Sequence, residues 1–127
     1  MVKVEHLMKK DLVSLEYGES VSMAAKLMQT RRIGSVLVKF HGRIVGIVTE
    51  ADIVKKVVAQ NRSPEFITVE DIMSSPIIGI DERRPVIDAA DLMERHQTRH
   101  LAVTQFQHIV GVLSVRDLLR PVAIDEL

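Results

Sequence analysis

The chain has 127 residues, 17 of them basic and 17 acidic, with no cysteine and no tryptophan. Zero net charge argues against a dedicated nucleic-acid binder, which needs surplus cations to displace phosphate counterions. Tyr17, Phe40, Phe66 and Phe106, the only aromatics, offer no base-stacking platform. The lack of cysteine excludes disulfides, thiolate metal sites and thiol catalysis, and fits a reducing compartment. Apolar runs such as Ile44–Val48 fall far short of the ~20 residues of a membrane span. Residues Met1–His6 lack the apolar core of a signal peptide. The expectation is a cytoplasmic domain without a membrane or nucleic-acid partner.

In chain order, Leu12–Leu15 reads as a short apolar strand. Val21, Ala25 and Met28 follow at i, i+4, i+7, the spacing of one helix face, and Met23 and Met28 read as core. Val36–Phe40 turns through His41-Gly42 into Arg43–Thr49, a hairpin pattern. A helix is expected from Glu50 to about residue 60, then a polar break at Asn61–Glu65. The series then recurs. Ile77–Ile80 is a strand; Val86, Ala90 and Met93 mark a helix that Pro85 opens; Leu101–Thr104 turns through Gln105–His108 into Ile109–Ser114; a last helix runs from Val115 to about Val122.

That recurrence is an internal repeat. Shifted by 65 residues, Val4–Val54 overlies Val69–Leu119 without a gap, and thirteen of the 51 pairs are identical. The predicted fold class is α+β: two pseudo-symmetric β-α-β-β-α motifs, 1–62 and 63–127. A motif of about 60 residues is marginal alone, so the two are expected to pack sheet to sheet, with a cleft at each end of the pseudo-two-fold axis.

Each hairpin leaves through one spacing, Gly46-x-x-Thr49-x-x-Asp52 and Gly111-x-x-Ser114-x-x-Asp117. A helix start accounts for most of it: Thr49 or Ser114 caps, and Asp52 or Asp117 completes a capping box worth about 0.5–2 kcal/mol. It leaves the glycine unexplained, which implies a bulge or something close to the backbone. A carboxylate held there can also accept both hydroxyls of a ribose diol at about 1.5–3 kcal/mol per bond. The Thr or Ser hydroxyl and nearby N–H groups can receive phosphate oxygens.

These residues, with the Val-x-x-Ile/Leu-Met openings (Val4–Met8, Val69–Met73), Met73–Ile78 and the Ala-Ala-x-Leu-Met helices, resemble the paired cystathionine-β-synthase-type (CBS) domains, or Bateman module, over essentially the whole chain. The resemblance implies a regulatory module, without catalysis, that binds AMP, ADP, ATP, S-adenosylmethionine or an NAD-type ligand and regulates a partner in trans. It implies one site with Gly46, Thr49 and Asp52, and Leu12 and Val13 against adenine. The other has Gly111, Ser114 and Asp117, with Ile77 and Ile78 against adenine. Leu37, Ala102 and Asp11 stand where the family often has proline.

The second site is the more cationic, with Arg99, His100 and Arg116 where the first half has Gly34, Ser35 and Ala51. Facing the ligand, these would favour di- or triphosphates. Matching charge at the first site would have to come from Lys9, Lys10, Arg31 or Arg32, whereas Lys55-Lys56 reads as a solvated pair. His96 and His100 have zinc-like spacing but no acid between them, so no metal site is expected. Ile53, Val54, Val57 and Val58, with Leu118, Leu119 and Val122, make two apolar columns on the closing helices, more than one seam buries. A homodimer follows as an expectation. The alternative function is a structural oligomerisation module with unoccupied clefts.

Overall fold

Two three-stranded sheets with the same strand order organise the chain, and the computed structural model describes residues 1–120 of it. The fold is α+β. Contacts divide the chain into two units, Val13–Ile77 and Met1–Leu12 together with the chain from Ile78 onward.

In the unit Val13–Ile77, β1 (Ser14–Glu16) runs parallel to the central β2 (Ser35–Phe40), which pairs antiparallel with β3 (Arg43–Thr49). The parallel pair needs a crossover, supplied by the helix Val21–Arg31. That helix starts where the Ser20 hydroxyl accepts the Met23 N–H (3.1 Å) and ends at Arg32 in the left-handed region (φ 55°). Val36, Leu37 and Val38 of β2 are all buried, as suits a central strand covered on both faces. His41 (φ 50°) and Gly42 (φ 78°) form a two-residue hairpin turn of the left-handed kind that matches strand twist.

The second unit repeats the plan with β4 (Gly79–Asp81), β5 (His100–Gln105) and β6 (His108–Ser114), its crossover helix being Val86–His96. Its hairpin turn has two residues, Phe106 (φ 49°) and Gln107 (φ 68°), instead of the four expected. No glycine announces that turn; the side chains bear the left-handed backbone directly.

The units cut across the halves 1–62 and 63–127. A helical turn at Val69–Ile72 buries Val69 and Ile72 in the core of Val21, Val36, Val38 and Val48. Its counterpart Val4–Leu7 buries Val4 and Leu7 among Ile80, Leu101, Val103 and Leu113. Backbone bonds fasten each, Val69 N–H to the Glu19 carbonyl (2.8 Å) and Val4 N–H to the Arg84 carbonyl (2.9 Å). The opening segment of each repeat therefore completes the core containing the other repeat's sheet.

Three expectations about faces change. Ala24 and Ala89 are buried whereas Ala25 and Ala90 are exposed. Positions i+3 and i+4 flank the same Val–Met axis, and the sheet lies on the i+3 side. Met23 is 44% exposed and not core. The closing helices are short: Glu50–Ile53 continues as a widened turn, Val54–Val58, and Val115–Leu119 is a 3₁₀ turn. Val57 is fully buried, while Val54 and Val58 are exposed by 58% and 64% and Leu119 by 80%. Val122 lies outside the described residues. Among those described, no helix is long and apolar enough to cross a membrane.

Candidate functional site

The two Gly-x-x-Thr/Ser-x-x-Asp elements sit at corresponding places, where β3 and β6 end and a helical turn begins. Thr49 and Ser114 are extended caps, so the chain turns sharply and returns the aspartate three residues later to the cap. Asp52 Oδ2 accepts the Thr49 N–H (2.9 Å) and hydroxyl (3.1 Å). Asp117 Oδ2 accepts the same pair from Ser114 (2.8 and 3.1 Å). A third capping box, Thr68 with Asp71, has its acid exposed. Capping alone therefore does not require burial.

Asp52 and Asp117 are buried, at 8% and 3% exposure, and are the only buried charged residues among those described. A buried carboxylate must be offset by partners. Their second oxygens meet different ones. Asp52 Oδ1 pairs with Lys56 Nζ at 3.0 Å, and that ammonium also donates to the Ile72 carbonyl (2.8 Å). Asp117 Oδ1 lies 3.9 Å from both Lys9 Nζ and Arg120 Nε, beyond hydrogen-bond reach but within strong Coulomb range. The Arg120 guanidinium is anchored on the Leu7 carbonyl. Among the described residues no solvent-sealed side-chain oxygen or nitrogen lacks a hydrogen-bond partner. Asp117 Oδ1 is thus not sealed from solvent, although its side chain is only 4% exposed, and it is set between two cations.

The glycines answer to the opening methionines. A Cβ on Gly46 would lie 2.3 Å from Met73 Sδ, and one on Gly111 would lie 2.7 Å from Met8 Sδ and 2.9 Å from the Lys9 carbonyl oxygen. Each glycine also borders a bulge. Val38 pairs with Gly46 but Lys39 with Ile44, and Val103 with Gly111 but Thr104 with Ile109. Both explanations expected from sequence, a bulge and a close approach, hold together, and the approaching group is protein.

Val13 and Ile78 each accept, through the carbonyl, the N–H of Leu37 or Ala102 (both 3.0 Å), extending the parallel ladder by one residue. Leu12 and Ile77 precede them, half-buried, where the chain passes from one unit to the other. Arg99 is exposed and its carbonyl accepts the Val115 N–H (2.9 Å), which holds it beside the Ser114 turn. Arg116 is exposed, one residue before Asp117, and His100 is half-buried.

Lys9, one of four residues that the sequence offered as a source of charge for the first site, stands by Asp117 of the second motif, because the opening segment belongs to the other unit. Lys56 and Arg120 were missed as site residues. The i,i+4 spacing of Asp52 and Lys56 was a readable signal for one of them. A groove of about 330 Å³ lies elsewhere, between β4 and the helix Val86–His96, lined by Asp81, Arg84, Asp88, Asp91 and Arg95 among others. Its charges partly satisfy each other, as in Arg84–Asp88 (2.6 Å), and no motif residue lines it. At its edge the Arg83 guanidinium, hydrogen-bonded to Asp81, holds that carboxyl below its ordinary pKa. The described residues contain no group of three or more His, Cys, Asp or Glu able to hold a metal ion.

Comparison with known proteins agrees with the repeat. The CBS-domain family model matches residues 4–59 and again 69–123. Uncharacterized protein MK0525 of Methanopyrus kandleri is 31% identical over 94% of this chain, and the chain spans 62% of that relative's length. An uncharacterized conserved protein from Pyrococcus horikoshii superposes with a TM-score of 0.89 at 28% identity, covering 96% of each chain. The CBS domain protein PAE2072 from Pyrobaculum aerophilum, solved in complex with AMP, has a TM-score of 0.82 at 32% identity, covering 93% of this chain and 91% of that one. A hexameric CBS-CP12 protein from bloom-forming cyanobacteria has a TM-score of 0.86 at 29% identity, covering 94% and 70%. With two tandem matches across the described sheets, this chain belongs to the CBS-domain family.

Proposed function

We propose that this CBS-domain pair is a sensor that binds an adenosyl ligand and regulates another protein in trans, without catalysing a reaction. The observation that carries this reading is the pair of buried aspartates, each spending one oxygen on its own backbone cap and holding the other beside cations. Capping explains Oδ2. It does not explain Oδ1, which at Asp117 is a rigid acceptor with no donor in hydrogen-bond reach among the described residues. A ribose diol supplies the missing donors. Ser114, Arg99, Arg116, Lys9 and Arg120 are the donors within the same unit for phosphate, and Ile78 an apolar wall for adenine. Thr49, Asp52 and Val13 are the corresponding residues of the other motif. The AMP complex of the Pyrobaculum neighbour supports this ligand class.

Thermal shift tests the reading. AMP at 100 times its Kd adds about 2.7 kcal/mol, a rise of several degrees in Tm for a chain of this size. Asp117→Asn keeps an oxygen for the Ser114 N–H but removes the charge, and should weaken binding about 10- to 100-fold. No shift with AMP, ADP, ATP, S-adenosylmethionine or NADH would refute the sensor.

A second reading, an assembly module, is favoured by the exposed Val54, Val58 and Leu119. We propose that these apolar side chains are covered in a homodimer, and the two readings are compatible. Sedimentation should show a dimer at micromolar concentration; a monomer would contradict the proposal.

A further inference from the structure

The two aspartates are equivalent in sequence but not in occupancy. Lys56 stands four residues after Asp52, and its ammonium is held from two sides, by Asp52 Oδ1 (3.0 Å) and the Ile72 carbonyl (2.8 Å). Ile72 opens into the Met73-Ser74 segment, whose backbone pairs with Ile47 in both directions (3.2 and 2.9 Å), so the carbonyl anchoring Lys56 belongs to a fixed element. In the repeat, the position of Lys56 falls on Pro121, which has no ammonium to offer. The cations near Asp117 come from other positions. Lys9 corresponds to Ser74 and Arg120 to Lys55, and both stop 3.9 Å short of Oδ1.

We infer that Lys56 is an internal plug: its ammonium takes the place of a ribose hydroxyl on Asp52, so that the chain has one working nucleotide site, at Asp117. This rests on the sensor reading above. A diol approaching Asp52 must share Oδ1 with, or displace, a donor that is charged, anchored at a second acceptor and already in place, and charge-assisted bonds are the strong ones. At Asp117 the same oxygen has charge nearby but, among the described residues, no donor seated on it, so a diol adds its bonds without breaking any of theirs. Lys56 is thus a specificity-determining residue that tells two duplicated sites apart.

Isothermal titration of the full chain with AMP tests this. The wild type should bind one AMP per chain, and Asp117→Asn should weaken that site about tenfold or more. Lys56→Met, which keeps the aliphatic stem and removes the ammonium, should bind two. The double variant Lys56→Met/Asp52→Asn should return to one. Lys56→Gln, with circular dichroism to confirm folding, repeats the test should the methionine variant fold poorly. Two equal sites in the wild type, or no second site in either folded Lys56 variant, would overturn the plug while leaving the sensor reading intact. No binding by any form would overturn both.

Discussion

Adding one methyl group at Gly111 gives a sharp test of why the motif begins with glycine. Contacts of a Cβ are ordinary from 3.4 Å outward, whereas an alanine Cβ here would lie 2.9 Å from the Lys9 carbonyl oxygen and 2.7 Å from Met8 Sδ. The thioether can rotate away; the carbonyl cannot, because it accepts the Val112 N–H (2.9 Å) while the Lys9 N–H donates to the Val112 carbonyl (2.9 Å). Moving it by about half an ångström strains both bonds of that bridge. Overpacking costs about 1–3 kcal/mol and each weakened bond about 0.5–1.5 kcal/mol. Gly111→Ala should therefore lose about 2–6 kcal/mol, a large part of a total near 5–15 kcal/mol. At Gly46 the three nearest atoms all belong to the Met73 side chain, so Gly46→Ala should cost less, about 1–2 kcal/mol. Urea unfolding with an unchanged m-value is the assay. Adding Met8→Ala should rescue Gly111→Ala only partly, since the carbonyl remains. A Gly111→Ala protein as stable as wild type, or one fully rescued by Met8→Ala, would refute the reasoning.

Two smaller predictions follow from local geometry. Ser20→Ala removes the acceptor of the Met23 N–H and should cost about 0.5–2 kcal/mol in urea unfolding, with no loss meaning that water replaces the cap. Asp81, its pKa lowered mainly by the Arg83 side-chain hydrogen bond, favours the folded state above its unfolded pKa, and that contribution disappears as pH falls through the lowered folded value. Arg83→Ala should raise the Asp81 midpoint towards 3.8 in an NMR titration, and an unchanged midpoint would contradict the pairing.

The repeat made much of this legible in advance. Thirteen identities at one offset carried the element order, both hairpins and the matched Thr49–Asp52 and Ser114–Asp117 caps, because these are short-range patterns of turn and period. What failed was non-local. The crossing of Val4–Leu7 and Val69–Ile72 into the opposite units left no trace in periodicity, since a Val-x-x-Ile/Leu turn packs equally well against either sheet's edge. Because of that crossing Lys9, offered with three other residues for the first site, lies beside Asp117 instead. The choice of Ala24 over Ala25 likewise depends on where the sheet lies, which the helix pattern does not encode. Lys56 looked like half of a solvated pair because its anchor, the Ile72 carbonyl, is 16 residues away.

A structure of the full chain with AMP bound measures the central claim directly, in the distance from the ribose hydroxyls to Asp117 Oδ1. The account predicts a hydrogen bond of about 2.5–3.0 Å there, with Asp117 Oδ2 still held by Ser114. AMP seated elsewhere, in the groove beside Asp88 and Arg84 for instance, with Asp117 Oδ1 untouched, would contradict it.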